Sequence, residues 1–73
     1  MSVARVTEIT STSSQSFEDA INQGVARATK TIRQVKGAWI KDQRIEIENN
    51  RISAYQVNML VTFVLEDSDT QQP

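Results

Sequence analysis

The chain has no cysteine and no histidine among its 73 residues. Disulfide staples are therefore excluded, as are soft-ligand zinc and haem sites. Nucleophilic catalysis by a Ser–His or Cys–His pair goes with them. The two glycines, Gly24 and Gly37, stand alone, so no glycine-rich loop is present to cradle a phosphate. Neither sign of charge dominates: eight basic against nine acidic residues leave a surface without the positive field that nucleic acid or an anionic membrane requires. No window approaches the roughly 20 apolar residues of a membrane span, and no apolar run follows Met1-Ser2-Val3-Ala4-Arg5. A soluble cytoplasmic protein is expected.

Length sets the next bound. A chain this short is one domain, buries only about 60% of its unfolded surface, and draws no more than ~3–5 kcal/mol from a single core. With disulfides and soft-ligand metals gone, oligomerisation is the staple left.

Val3 to Ile9, with Val3, Val6, Thr7 and Ile9, reads as a short strand. The run Thr10-Ser11-Thr12-Ser13-Ser14-Gln15-Ser16 has too little apolar surface to order itself but can accept hydrogen bonds from the free N–H groups that open a helix. Ser16 and Asp19 stand at capping-box spacing, with Ser14 as a rival cap. Phe17, Ile21, Val25, Ala28, Ile32 and Val35, joined by Ala20 and Gly24, then follow a 3.6-residue period. A helix is predicted to about Lys36, with Gly37 as its left-handed stop and Arg27, Lys30, Arg33 and Lys36 at its cation-favouring end.

After Gly37 the period becomes two. Ala38 to Glu48 and Ile52 to Glu66 are predicted as strands of a hairpin turning at Glu48-Asn49-Asn50-Arg51. Tyr55, Val57, Met59, Val61, Phe63 and Leu65 alternate without a break and make the face the helix covers. The other face, with Ile52, Ala54, Gln56, Asn58, Leu60, Thr62 and Val64, is too apolar for plain solvent and too polar for a core, which suits a subunit interface or a ligand wall. A two-residue turn sets Gln43 opposite Gln56 and Trp39 opposite Leu60, and puts Trp39, Gln43, Ile45, Ile47 and Gln56 on that outer face. A three-residue loop with a bulge would instead send Ile45 and Ile47 to the core, because one slip flips every side chain. Domain 1–66 is then followed by a polar tail, 67–73, expected to be disordered.

The candidate acids Glu8, Glu18, Asp19, Asp42, Glu46 and Glu48 show no spacing that sets two of them across a cleft, so no enzyme is expected. Isolated carboxylates on strands are ordinarily solvated, though they could hold a hard cation at a symmetric assembly. Trp39, the one indole, either stacks on a planar ligand or fills an interface. Gln56, an amide within an apolar run, either reads the edge of a heterocycle or bonds to Gln43 across the strands.

Arg5-Val6-Thr7-Glu8-Ile9, Thr12-Ser13, Ala26-Arg27-Ala28, Thr31-Ile32-Arg33, Arg44, Ile47-Glu48-Asn49, Tyr55-Gln56-Val57 and Phe63-Val64-Leu65-Glu66 occur in an order and spacing that resembles the dodecin family from about Arg5 to Glu66. The resemblance implies an α+β protomer of β-α-β-β order, a three-stranded antiparallel sheet wrapped around one helix, and a hollow homododecamer. Many dodecins hold riboflavin or FMN in pairs at two-fold axes, a strand tryptophan stacking on the ring and the glutamine of the Tyr-Gln-Val segment meeting its edge. Gln56 matches that glutamine, whereas gapless alignment places Gly37 at the tryptophan position, with Trp39 two residues further along the same face, and Val64 where flavin dodecins often have Arg.

The function this resemblance implies is a shell that binds and sequesters flavin, with Trp39, Gln56, Gln43 and Arg44 as candidate contacts. The alternative is a dodecin-like assembly that binds no flavin and takes a structural role, calcium or another small ligand. A third class is an adaptor that binds a protein through an open sheet edge. Nucleic acid and membrane are not expected as partners.

Overall fold

The structure, a computed structural model, describes residues 3–65. The elements are β1 (Ala4–Ser13), α1 (Phe17–Thr31), β2 (Val35–Glu48) and β3 (Arg51–Val64). The strands form one antiparallel sheet in the order β1-β3-β2, so β3 is central. This is the β-α-β-β arrangement expected. The polar tail, 67–73, lies outside the described residues, and among those described no helix is long and apolar enough to cross a membrane.

Ser16 caps α1 as its spacing predicts: extended backbone (φ −171°, ψ 167°) lets its Oγ accept from the Asp19 backbone N–H at 2.9 Å. Ser14 does not compete. Asp19 turns the other way, its carboxylate accepting from the Ser13 hydroxyl and from the Gln23 amide, each at 2.5 Å. Ser13 is buried and its Oγ also accepts from the Gln15 N–H at 2.9 Å, so this hydroxyl ties the end of β1 to the start of α1.

β1 therefore runs four residues past the predicted Ile9. Thr10, Ser11, Thr12 and Ser13 pair with Asn58, Val57, Gln56 and Tyr55, so the hydroxyl-rich run is strand rather than loop. Composition misleads here because a strand beside a long partner borrows its order from the ladder.

The helix also ends earlier than predicted. Ile32 already has extended geometry (φ −111°, ψ 127°), its N–H closing the last turn on the Ala28 carbonyl at 2.8 Å. Gln34, at φ 62°, takes the left-handed turn assigned to Gly37, and its carbonyl accepts from Val64 N–H at 3.0 Å. Lys30 alone of the four cations stays in the last turn. Val35 and Gly37 belong to β2.

Ala20, Gly24 and Ala28, one helical turn apart, are buried and lie over Val57, Met59 and Val61 of β3, with Ile9, Phe17 and Ile21 packed at the margin. Burying each of those β3 side chains contributes about 1.5–3 kcal/mol. Gly24 sets the closeness: a methyl there would run into the Met59 terminal methyl and lie 3.1 Å from Ser11 Cβ. Phe17 meets Tyr55 edge to face, ring centroids 5.1 Å apart.

Asn49 and Asn50, both left-handed (φ 54° and 64°), make the two-residue hairpin turn, as expected. The straight register does not hold beyond it. Ser53 is an extra residue between the Ile47↔Ile52 and Glu46↔Ala54 pairs, and its hydroxyl donates to the Glu46 carbonyl at 3.3 Å. Lys41 is a second, on β2 between Ile40↔Met59 and Asp42↔Asn58, and Lys36 a third. Between the first two, every pair is displaced by one. Gln43 consequently faces Val57 on the helix side, and Arg44, not Gln43, faces Gln56. Ile45 faces Tyr55 on the helix side, and Ile47 follows it there by alternation. Past Lys41 the displacement is undone, so Trp39 does face Leu60.

Candidate functional site

Residues paired across a ladder share a face, so the two registers give the outer face in rows. From the hairpin side these are Thr12–Gln56–Arg44, Thr10–Asn58–Asp42, Glu8–Leu60–Trp39 and Val6–Thr62–Gly37. Three of the four predicted contacts lie here: Trp39, Gln56 and Arg44. Gln43 points to the other side. Trp39 and Gln56 share the face but not a row, being separated by four residues along β3, about 13 Å.

The second row is a hydrogen-bonded chain. Thr10 Oγ1 donates to Asn58 Oδ1 at 2.8 Å and Asn58 Nδ2 donates to Asp42 Oδ1 at 2.6 Å, fixing the Asn58 amide. The bulged Lys41 reaches Glu8 at 3.2 Å, and Arg44 lies 3.2 Å from Glu46. These exposed pairs are worth only about 0–1 kcal/mol each. Their consequence is positional: the carboxylates of this region are already engaged, and among the described residues no cluster of three or more metal-ligating side chains occurs. Gln56 forms no side-chain hydrogen bond among the described residues, so its donors and acceptor are available.

Trp39 is 61% exposed, unusual for an indole with no functional reason to face solvent. Beside it lies a hollow of about 350 Å³ lined by Lys36, Gly37, Ala38, Trp39 and Thr62. The space above Gly37 is open: a Cβ built there meets nothing within 4 Å. The exposed indole and the open space over Gly37 together make a wall on which a planar group can stack. The site offers a stacking wall, an unengaged amide and open space. A larger groove, about 610 Å³, runs between β1 and α1 past Gln23 and Arg27 and touches none of the predicted contacts.

The family model for dodecin matches residues 3–66. The chain belongs to the dodecin family. The dodecin of Streptomyces coelicolor superposes with a TM-score of 0.87 at 31% identity, covering 92% of this chain and 96% of that one. A tryptophan-to-phenylalanine variant of the Thermus thermophilus dodecin gives 0.85 at 35% identity, covering 90% and 98%. The calcium dodecin of Mycobacterium tuberculosis, described as calcium chelating, gives 0.77 at 28% identity, covering 97% of each chain. No curated protein sequence matches.

Sequence reasoning missed Lys36, Thr62 and the Thr10–Asn58–Asp42 chain of this dodecin. Asn58 and Thr62 carried a signal, being the polar members of the outer face of β3. Asp42 carried none, since only the register displacement between the Ser53 and Lys41 bulges sets it opposite Asn58 on that face.

Proposed function

We propose that this dodecin binds and sequesters a flavin, FMN or riboflavin, on the outer face of its sheet, within a cytoplasmic homododecamer and without catalysing a reaction. The observation that carries the reading is the exposed Trp39 indole opening onto the hollow above Gly37, with Gln56 free on the same face. The tryptophan has moved two residues from the family position, and the glycine in its former place leaves room for the ring.

Because Trp39 and Gln56 stand two rows apart, a second copy facing this one brings a tryptophan and a glutamine to a shared ligand better than one chain does. Assembly is supported by the helix side of β2, where Ile40, Ile45 and Ile47 are 41%, 36% and 63% exposed.

Titrating riboflavin and FMN with the purified protein tests the reading: flavin fluorescence should be quenched at micromolar protein. Stacking on an aromatic is worth roughly 1–3 kcal/mol per ring, so Trp39→Ala should weaken binding about tenfold. Gln56→Ala should cost about 1 kcal/mol. Unquenched fluorescence with the wild type would overturn the flavin reading and leave the calcium-type or structural assembly, whose cation would need ligands from several copies.

A further inference from the structure

Lys36 is an extra residue of β2, between the Val35↔Phe63 and Gly37↔Thr62 pairs, and it lines the hollow beside Trp39. Lys41 is engaged with Glu8 and Arg44 with Glu46, whereas Lys36 makes no ion pair among the described residues. Glu8, in the neighbouring Leu60–Trp39 row, is held by Lys41. Lys36 is the charged member of the residues lining the hollow, so the charge presented there is positive although the chain as a whole has a net charge of −1. Thr62 adds a hydroxyl at the same wall.

Resting on the flavin reading of this site, we propose that Lys36 makes the hollow selective for a ring that carries an anionic group, so that FMN is held in preference to riboflavin. The ring lies on Trp39 and over Gly37, and the phosphate of its side chain meets the Lys36 ammonium at the rim of the hollow. Lys36 acts on the ligand's charge and not on its ring, which sets its role apart from that of Trp39. An exposed ammonium against a phosphate is a modest contact, so the preference for FMN should be about fivefold. It should shrink as salt is raised from low to molar concentration, since the pair is open to solvent.

The test compares dissociation constants for FMN and riboflavin, by fluorescence quenching at low and high salt, in the wild type, Lys36→Gln and Lys36→Arg. The expected result is a preference for FMN in the wild type, its loss in Lys36→Gln and its retention in Lys36→Arg. Equal affinities in the wild type, or an undiminished preference in Lys36→Gln, would overturn the role of Lys36 while leaving the flavin site standing. If riboflavin and FMN both fail to bind the wild type, the flavin reading itself falls and this proposal with it.

Discussion

The two halves of the sheet are built differently. On one side of β3, β1 pairs without a register shift from Ala4↔Val64 to Ser13↔Tyr55. On the other, β2 carries three irregularities in its length. The β3 residues under the helix, Val57, Met59 and Val61, are at most 1% exposed, while on β2 Val35 and Glu46 are half-buried and every other residue is exposed. Geometry explains part of this. A helix of 15 residues spans about 22 Å, whereas strands of 14 residues span about 46 Å, so one helix cannot cover the hairpin. Beyond the Ser13–Tyr55–Ile45 row, the hairpin loses both β1 and α1 and continues as two strands ending in Ile47, Ile52 and the turn. A two-stranded ribbon is marginal alone in water. The β1–β3 half is thus a finished core, and the β2–β3 half is an arm that needs something to lie against.

Mutations should separate these halves. The largest effect is expected from Ile47→Lys, which places a charge on the arm: if a neighbouring copy buries it, the cost is several kcal/mol per chain, and light scattering should show the mass fall from that of about twelve chains. Retention of the full mass would place Ile47 in solvent. Met59→Ala should act on the finished core, lowering unfolding stability by about 2–5 kcal/mol in denaturant titrations. Gly24→Val should cost about 1–3 kcal/mol, because its methyls meet Met59 and Ser11, and a raised melting temperature would show that the helix can lift away instead. The smallest change belongs to Ser53→Ala, which removes the hydroxyl donated to the Glu46 carbonyl and should cost about 1 kcal/mol without altering ligand affinity.

The same division marks what the sequence makes legible. The Ser16 cap, the Asn49–Asn50 turn and the alternation of Tyr55 to Phe63 are local signals, and each reads correctly. The helix end does not, because Ile32 and Val35 continue a helical period while being used as the exit and first strand residue; the pairing of Val35 with Phe63 decides against the helix. Nor do hydroxyls at Thr10 to Ser13 announce a strand whose order comes from Asn58 to Tyr55. In the candidate site, Trp39, Gln56 and Arg44 lie on the outer face, and Gln43 does not. The reason is physical: a bulge adds one residue without a compositional mark, and the Ser53 bulge inverts the faces of β2 until Lys41 restores them. Trp39 reads correctly because it lies beyond both.

The bulges also bear on what this sheet refuses. β2 is an edge strand, and a free edge is a template on which another extended chain can add itself or on which molecules can aggregate. Lys36 and Lys41, the extra residues of that edge, divide it into the shorter runs Gly37–Ile40 and Asp42–Glu48, each break carrying an ammonium group. An incoming strand would meet an out-of-step ladder and a charge at both interruptions. The adaptor reading, in which a partner peptide extends the sheet, is therefore weakest at this edge, and the arm can keep its isoleucines exposed without the strand seeding fibrils.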